Sequence, residues 1–219
     1  MRILNGTKVI DAKHDVIDAL RSDMRTTVID LGAGDGRYVY ESARADPATL
    51  FVAVDPDAET LSDYAFRASR KPARGGVENA VFVVAAVEAL PSELVGIAGR
   101  VRVNFPWGSL MRGLLEPDAS MVRALLSLAK PGGCVELVMS YDPSHDTGAF
   151  HGPTLPVLDM SYLESTLLPG YQSAGGLVVE SRRLTQDEAL EIPSTWGRRL
   201  LHARPREVFW IAMRKPVAQ

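Results

Sequence analysis

Apolar residues in this chain fall in short runs divided by more polar stretches. The runs are Thr27–Asp30, Leu50–Asp55, Val81–Ala86, Val101–Phe105 and Cys134–Tyr141. Unbroken rather than alternating runs suit strands buried on both faces. Between them, Arg37–Arg44, Ala58–Arg70 and Ala119–Ala129 read as helices. Strands alternating with helices imply right-handed crossovers and a mostly parallel sheet covered on both sides, an α/β fold. Two more strands fit Leu177–Leu184 and Val208–Met213. Near the start, Asn5-Gly6 lies between β-prone stretches and suits a type I′ turn in an N-terminal hairpin over residues 1–10. Residues 11–25 read as a helix with Val16, Ile17 and Leu20 on one face.

Two connections break this rhythm. Residues 142–163 are rich in Pro and Gly, and residues 185–206 carry a tryptophan and an arginine cluster. Long connections in a compact domain are usually functional or disordered. These two, after strands five and six, are the expected substrate-binding linkers. No repeat or dividing linker is visible, so residues 1–219 are expected to form a single domain.

Composition narrows the class. A chain that is 46% hydrophobic has enough apolar side chains for a sizeable core. A single cysteine, Cys134, excludes a disulfide framework and a four-thiolate zinc site. His14, His145, His151 and His202 lack metal-ligand spacing, so no metal is expected. No apolar run reaches the ~18 residues of a membrane span, and the N-terminus lacks a signal-peptide core. A soluble, cytoplasmic protein with no membrane partner follows as the expectation. Net charge of −3 argues against nucleic acid, but the placement of charge argues the other way.

The strongest local signal is Asp30-Leu31-Gly32-Ala33-Gly34-Asp35-Gly36, where strand one meets the first helix. Gly32 and Gly34 let backbone N–H groups approach a ligand closely. The spacing is G-x-G-x-G, not the dinucleotide G-x-G-x-x-G. Asp55 ends strand two, where an acid can accept both hydroxyls of a ribose. Asp30, at the carboxyl end of strand one, suits a cationic amine and would repel a pyrophosphate. Glu88, after strand three, is placed to accept from an adenine amino group. Three acids around a glycine loop favour S-adenosylmethionine over a nicotinamide or a nucleoside triphosphate. A tight turn with acidic helix caps explains Asp35 as easily, but not Asp55 together with Glu88.

Asn104-Phe105-Pro106-Trp107-Gly108-Ser109 follows strand four, at the sheet edge where ligands bind. It is not the Asn/Asp-Pro-Pro-Tyr/Phe motif of amino-methyltransferases. Trp107 and Trp196 both lie in loop-like sequence and together would sandwich a planar base, as base-modifying enzymes do. A packing plug under a loop is the competing reading for Trp107. Trp210, inside an apolar strand, reads as core. Basic residues cluster as Arg67, Arg70, Lys71 and Arg74, and again as Arg198, Arg199, Arg204 and Arg206. Charge runs are usually solvated faces, but two acid-free runs in an acidic protein suggest phosphate contacts.

Four pieces of the chain resemble one family. They are Gly32-x-Gly34-Asp35-Gly36-Arg37, Lys71-Pro72-x-Arg74-Gly75-Gly76, Phe105-Pro106-Trp107-Gly108-Ser109-Leu110 and Trp196-Gly197-Arg198-Arg199-Leu200. The chain resembles the 16S rRNA (adenine(1408)-N1)-methyltransferases, the Kam/NpmA-type aminoglycoside-resistance enzymes. The glycine loop is common to class I methyltransferases, whereas the two tryptophan pieces look specific to this family. The resemblance implies a Rossmann-like seven-stranded class I fold with its last strand antiparallel. It implies S-adenosylmethionine as cofactor and helix 44 of 16S rRNA in the 30S subunit as partner. A monomer is the expectation, although the sequence does not reveal oligomeric state. The resemblance further implies that Asp30, Gly32, Gly34, Asp55 and Glu88 hold the cofactor, with Ser109 and Ser194 as polar contacts lining the pocket. Trp107 and Trp196 would stack the target adenine. Arg67, Arg70, Lys71, Arg74, Arg199, Arg204 and Arg206 would grip rRNA. Asp142 and Asp146 are candidates for contacting the flipped nucleotide. A small-molecule methyltransferase, and a non-catalytic rRNA-binding protein of the same fold, remain alternatives on the residues alone.

Overall fold

The computed structural model describes residues 1–13, 15–146 and 154–217. Its strands are β1 (Arg2–Asn5), β2 (Lys8–Asp11), β3 (Thr26–Leu31), β4 (Thr49–Asp55), β5 (Ala80–Val84), β6 (Ala98–Asn104), β7 (Ala129–Met139), β8 (Leu177–Leu184) and β9 (Val208–Arg214). Its helices are α1 (Val16–Arg21), α2 (Arg37–Ala45), α3 (Ala58–Ala68), α4 (Gly108–Leu115), α5 (Ala119–Leu128), α6 (Pro143–Asp146), α7 (Met160–Tyr162), α8 (Leu168–Ser173), α9 (Gln186–Glu191) and α10 (Thr195–Ala203).

One sheet runs in the order β2-β1-β5-β4-β3-β6-β7-β9-β8. Strands β3 to β7 pair in parallel, and β9 is antiparallel to both β7 and β8. The seven strands from β5 to β8 match the expected arrangement, antiparallel last strand included. The described sheet has nine strands, however, not seven. The N-terminal hairpin is not an appendage: Ile3 pairs with Val83, so β1 covers the edge that β5 would otherwise expose.

The central strands explain the unbroken runs. Ile29, Val52, Val54 and Val83 join the core beneath α4, α5 and α8, while Val28, Phe51, Ala53 and Phe82 pack under α2 and α3. Successive residues thus point to opposite faces, and both faces are buried. Each fully buried Val, Leu, Ile or Phe contributes ~1.5–3 kcal/mol relative to exposure.

Several sequence expectations need correction. The hairpin turn is Gly6-Thr7 rather than Asn5-Gly6, because Asn5 pairs with Lys8. Gly6 has φ of +62°, and Thr7 is not among the positive-φ residues, which is the pattern of a two-residue turn with glycine first. The helix expected over 11–25 shortens to α1, since β2 runs to Asp11 and only Ile17 of the helix is buried. Residues 185–206 are helical over much of their length. A capping box between Thr185 and Glu188 starts α9, and the Ser194 hydroxyl accepts from Gly197 N at 3.0 Å to start α10. Of the expected linker 142–163, positions 147–153 lie outside the described residues, as does His151. His14 lies outside them too. No described helix is long and apolar enough to cross a membrane, and the described residues contain no His/Cys/Asp/Glu cluster able to hold a metal.

Candidate active site

A cleft of about 790 Å³ opens at the carboxyl ends of β3, β4, β5 and β6. Its volume lies in the ~300–1,000 Å³ range of small-molecule sites. Among its lining residues are Asp30, Gly32, Gly34, Asp55, Glu88, Trp107, Ser109, Ser194, Trp196 and Arg199. The residues expected at the cofactor, and both tryptophans, therefore meet in one place although they span more than 160 positions of sequence.

Asp30 forms the floor. It is 2% exposed, and its carboxylate accepts from the Asn104 side-chain amide at 2.8 Å. Burial pushes its pKa up to about 7; the Asn104 hydrogen bond and the Arg102 charge oppose that, and Asp55 and Asp35 add to it. Asp55 closes β4 and is held by two backbone donors, Gly34 N at 2.8 Å and Asp57 N at 2.9 Å. Burial raises its pKa too, against those hydrogen bonds. Gly34 has φ of +57°, and a side chain there would have open cleft in front of it. The glycine is thus required by backbone conformation, which aims its N–H at Asp55. Glu88 sits exposed on the rim in a single 3-10 turn, Val87–Ala89. Ser109 is exposed in the first turn of α4. Ser194 is half-buried, and its oxygen is engaged as the cap of α10.

The cleft's charge is one-sided. Asp30, Asp35, Asp55, Asp57, Glu59, Asp63 and Glu88 line it, against Arg199 as the cation of the lining. Such a donor set repels phosphate and suits a cationic ligand with hydroxyls and an amine. A sulfonium nucleoside with an amino-acid tail has that chemistry, so the residues fit S-adenosylmethionine.

The tryptophans line the same cleft. Trp107 caps the start of α4, and Trp196 lies in the first turn of α10, not in a loop as its sequence suggests. Their ring centroids are 4.9 Å apart at an interplanar angle of 69°, an edge-to-face contact. In this arrangement no base fits between them, so the expected sandwich is not preformed. One contact explains why the two tryptophan motifs converge. Gly197 packs on the Phe105 ring so closely that an added Cβ would sit 2.5 Å from it. Phe105 itself has φ of +52°, rare for a bulky residue.

The expected cations sort into three environments. Arg67, Arg70, Lys71 and Arg74 are exposed. They lie at the end of α3 that runs away from the cleft, with Arg67 stacked 4.6 Å from the Tyr64 ring centroid. Arg199 lines the cleft, and Arg198 and Arg204 are exposed on and just after α10. Arg206 departs from expectation. Its side chain is 6% exposed and forms a bidentate pair with Asp146 at 2.7 and 2.8 Å. It is a buried clamp on the α6 segment rather than a free phosphate-binding cation. Asp146 is correspondingly occupied, and it also accepts from Asp142 N at 2.9 Å. Asp142 is half-exposed and accepts from Ser144. Trp210 is half-buried, with the Arg182 guanidinium 5.6 Å from its ring centroid.

A polar row that the sequence reading missed lies behind Asp30. Arg102 donates to Glu136 at 2.6 Å and reaches the Asn104 carbonyl oxygen at 3.4 Å.

A family model described as NpmA, 16S rRNA (adenine(1408)-N(1))-methyltransferase, matches residues 2–215. The chain belongs to the NpmA family. A 16S rRNA (adenine(1408)-N(1))-methyltransferase from Escherichia coli is 33% identical over 213 residues, covering 97% of each chain. A variant of the enzyme of that name from Catenulisporales acidiphilia, solved with cosubstrate SAM, superposes with a TM-score of 0.90 at 30% identity, over 100% of this chain and 98% of the other. The antibiotic-resistance methyltransferase Kmr gives a TM-score of 0.82 at 34% identity, with 100% of each chain covered. The fold is accordingly that of class I methyltransferases, and the NpmA family is one of S-adenosylmethionine-dependent enzymes.

Proposed function

We propose that this chain transfers a methyl group from S-adenosylmethionine to N1 of adenine 1408 in helix 44 of 16S rRNA, within the 30S subunit, and so confers aminoglycoside resistance. The observation that carries the reading is one cleft lined by acidic, phosphate-repelling side chains and by two tryptophans in contact with each other. In this reading Asp30 and Asp55 hold the amino-acid and ribose ends of the donor, and Glu88 meets its adenine. Gly32 and Gly34 give the backbone close approach, and Ser109 and Ser194 line the pocket. The chain acts as a cytoplasmic monomer and a single domain, with residues 142–163 and 185–206 facing the RNA.

When bound, the donor supplies a methyl group on a cationic sulfur. Neutral adenine carries a lone pair at N1, so attack needs no prior deprotonation and the chain needs no general base. Its contribution is positioning. Trp107 and Trp196 part and stack the extruded base, replacing the stacking lost from the RNA. Their π faces also favour the base as it becomes cationic. Arg67, Arg70, Lys71, Arg74, Arg199 and Arg204 neutralise phosphates around the target.

Incubation with 30S subunits and labelled donor, followed by primer extension, tests this. A donor-dependent stop at adenine 1408 is expected. Incorporation into free metabolites with none into 30S subunits would instead identify a small-molecule enzyme. Binding of 30S without methylation would identify a non-catalytic RNA-binding protein.

A further inference from the structure

Asp30 is a buried acid with an organised hinterland. Register across the sheet creates it: Asp30 lies opposite Arg102 in the β3–β6 pair, and Arg102 lies opposite Glu136 in the β6–β7 pair. The Glu136 carboxylate receives Arg102 at 2.6 Å and Arg100 at 3.1 Å. Tyr38 lies against the Arg102 guanidinium, 5.5 Å from ring centroid to carbon. Arg102 therefore directs its terminal nitrogens to Glu136 and Asn104, not to Asp30. Its approach to the Asn104 oxygen fixes which way the amide faces. With that oxygen turned to a cation, the NH2 group must turn to Asp30, where it donates at 2.8 Å. Asn104 is 6% exposed and Glu136 8% exposed, so solvent does not substitute for these contacts.

We propose that Asn104, locked by Arg102 and Glu136, is a positioning residue that holds Asp30 ready for the ammonium group at the amino-acid end of the methyl donor, so that donor binding expels a proton from Asp30. This rests on the S-adenosylmethionine reading of the cleft. The array keeps an acid in a dry site with a positive field behind it and an open position in front. Charged and titratable groups facing Asp30 are Arg102 from β6, Asp55 from β4, Asp35 from the glycine loop and Tyr38 from α2, while Glu136 from β7 is paired with Arg102. The carboxyl, pushed up to about 7 by burial, is shared between its two protonation states at neutral pH. A cation binds its ionised form. Affinity is therefore full above that pH and falls by about tenfold per pH unit well below it.

Calorimetry of the full chain tests the proposal with two probes, S-adenosylmethionine and 5′-methylthioadenosine, which lacks both the sulfonium and the amino-acid end. Buffers of different ionisation heat at pH 6–8 report proton release. The wild type should release a measurable fraction of a proton per S-adenosylmethionine at pH 7, and a larger fraction at pH 6. Methylthioadenosine should release none. Asn104→Ala should weaken S-adenosylmethionine by about tenfold, move its pH midpoint upward and leave methylthioadenosine within about twofold. Arg102→Met should move the midpoint in the same direction. Equal weakening of both probes by Asn104→Ala, or an unmoved midpoint, would overturn the positioning role. The wild-type measurement stands even where a variant does not fold: donor binding without proton release overturns the proposal and leaves the cofactor reading intact. Failure of the wild type to bind either probe would overturn both.

Discussion

Removing either cleft tryptophan separates a stacking role from a packing role. Stacked bases lie about 3.4 Å apart, so an adenine held between two parallel rings needs ring planes about 7 Å apart. Trp107 and Trp196 stand with centroids 4.9 Å apart and planes at 69°. Accepting a base therefore requires separation of about 2 Å and rotation of at least one ring, at the cost of the edge-to-face contact, ~0.5–1.5 kcal/mol. Stacking on two rings returns ~1–3 kcal/mol for each, so the exchange favours the bound base. Trp196 is 36% exposed, and Trp196→Ala should lower stability by only ~1–2 kcal/mol, or about 2–8 °C in Tm. Loss of one stacking face should slow methylation of 30S subunits by about 5- to 150-fold. Phenylalanine at either position keeps a π face and should recover part of the rate. Affinity for 30S should fall less, because phosphate contacts supply most of it. The assay is single-turnover transfer of labelled methyl to 30S subunits, with Tm measured on Trp107→Ala, Trp107→Phe and the two matching Trp196 variants. A folded alanine variant with full activity refutes the stacking role. So does a set of variants whose activity follows only the loss of Tm.

Asp55→Ala removes an ionised acceptor from a partly buried site and should weaken S-adenosylmethionine by ~1.5–3 kcal/mol, about 10- to 150-fold by calorimetry; unchanged affinity would mean that the ribose end lies elsewhere. Arg206→Ala leaves Asp146 buried without its cation and should destabilise the fold by ~3–5 kcal/mol, lowering Tm by about 6–20 °C; a shift below about 2 °C would show that the clamp carries no stability. Joint replacement of Lys71 and Arg204 by alanine should reduce the log–log salt slope of 30S affinity by up to ~2 units with donor affinity intact; an unchanged slope would return both to solvated surface.

The sheet was legible because its central strands are buried on both faces, and unbroken apolar runs are the direct consequence. The segment Leu177–Leu184 coincides with β8 at both ends, and the runs of β3, β4 and β5 agree with the strands to within two residues at each end. The misses have local causes. Asn5-Gly6 is a hairpin signal, but the pairing of Asn5 with Lys8 moves the turn one residue on. In residues 185–206 the tryptophan and arginines stand out over helix signals that are equally present. The sequence Thr185-x-x-Glu188 was already a capping box, and Ser194 three residues before Gly197 was already a cap.

In the site, residues announced by a local motif were found, and residues organised by strand register were not. Asp30, Gly34 and Asp55 stand at strand ends, where position in the α/β pattern already implies a shared cleft. Arg102, Asn104 and Glu136 become neighbours only through the pairing of β3, β6 and β7. A signal did exist. Arg100-Val101-Arg102-Val103-Asn104 alternates polar and apolar residues, so Val101–Phe105 is not the unbroken run it is first taken for, unlike β4 and β5, and alternation marks a strand with one face not covered by apolar packing. Its apolar positions, Val101 and Val103, join the core beneath α4 and α5, while its polar positions form the row that ends on Asp30. A strand that breaks the rhythm of its neighbours at the centre of a parallel sheet gives up apolar burial on one face. Here that face carries the charge that reaches the floor of the cleft.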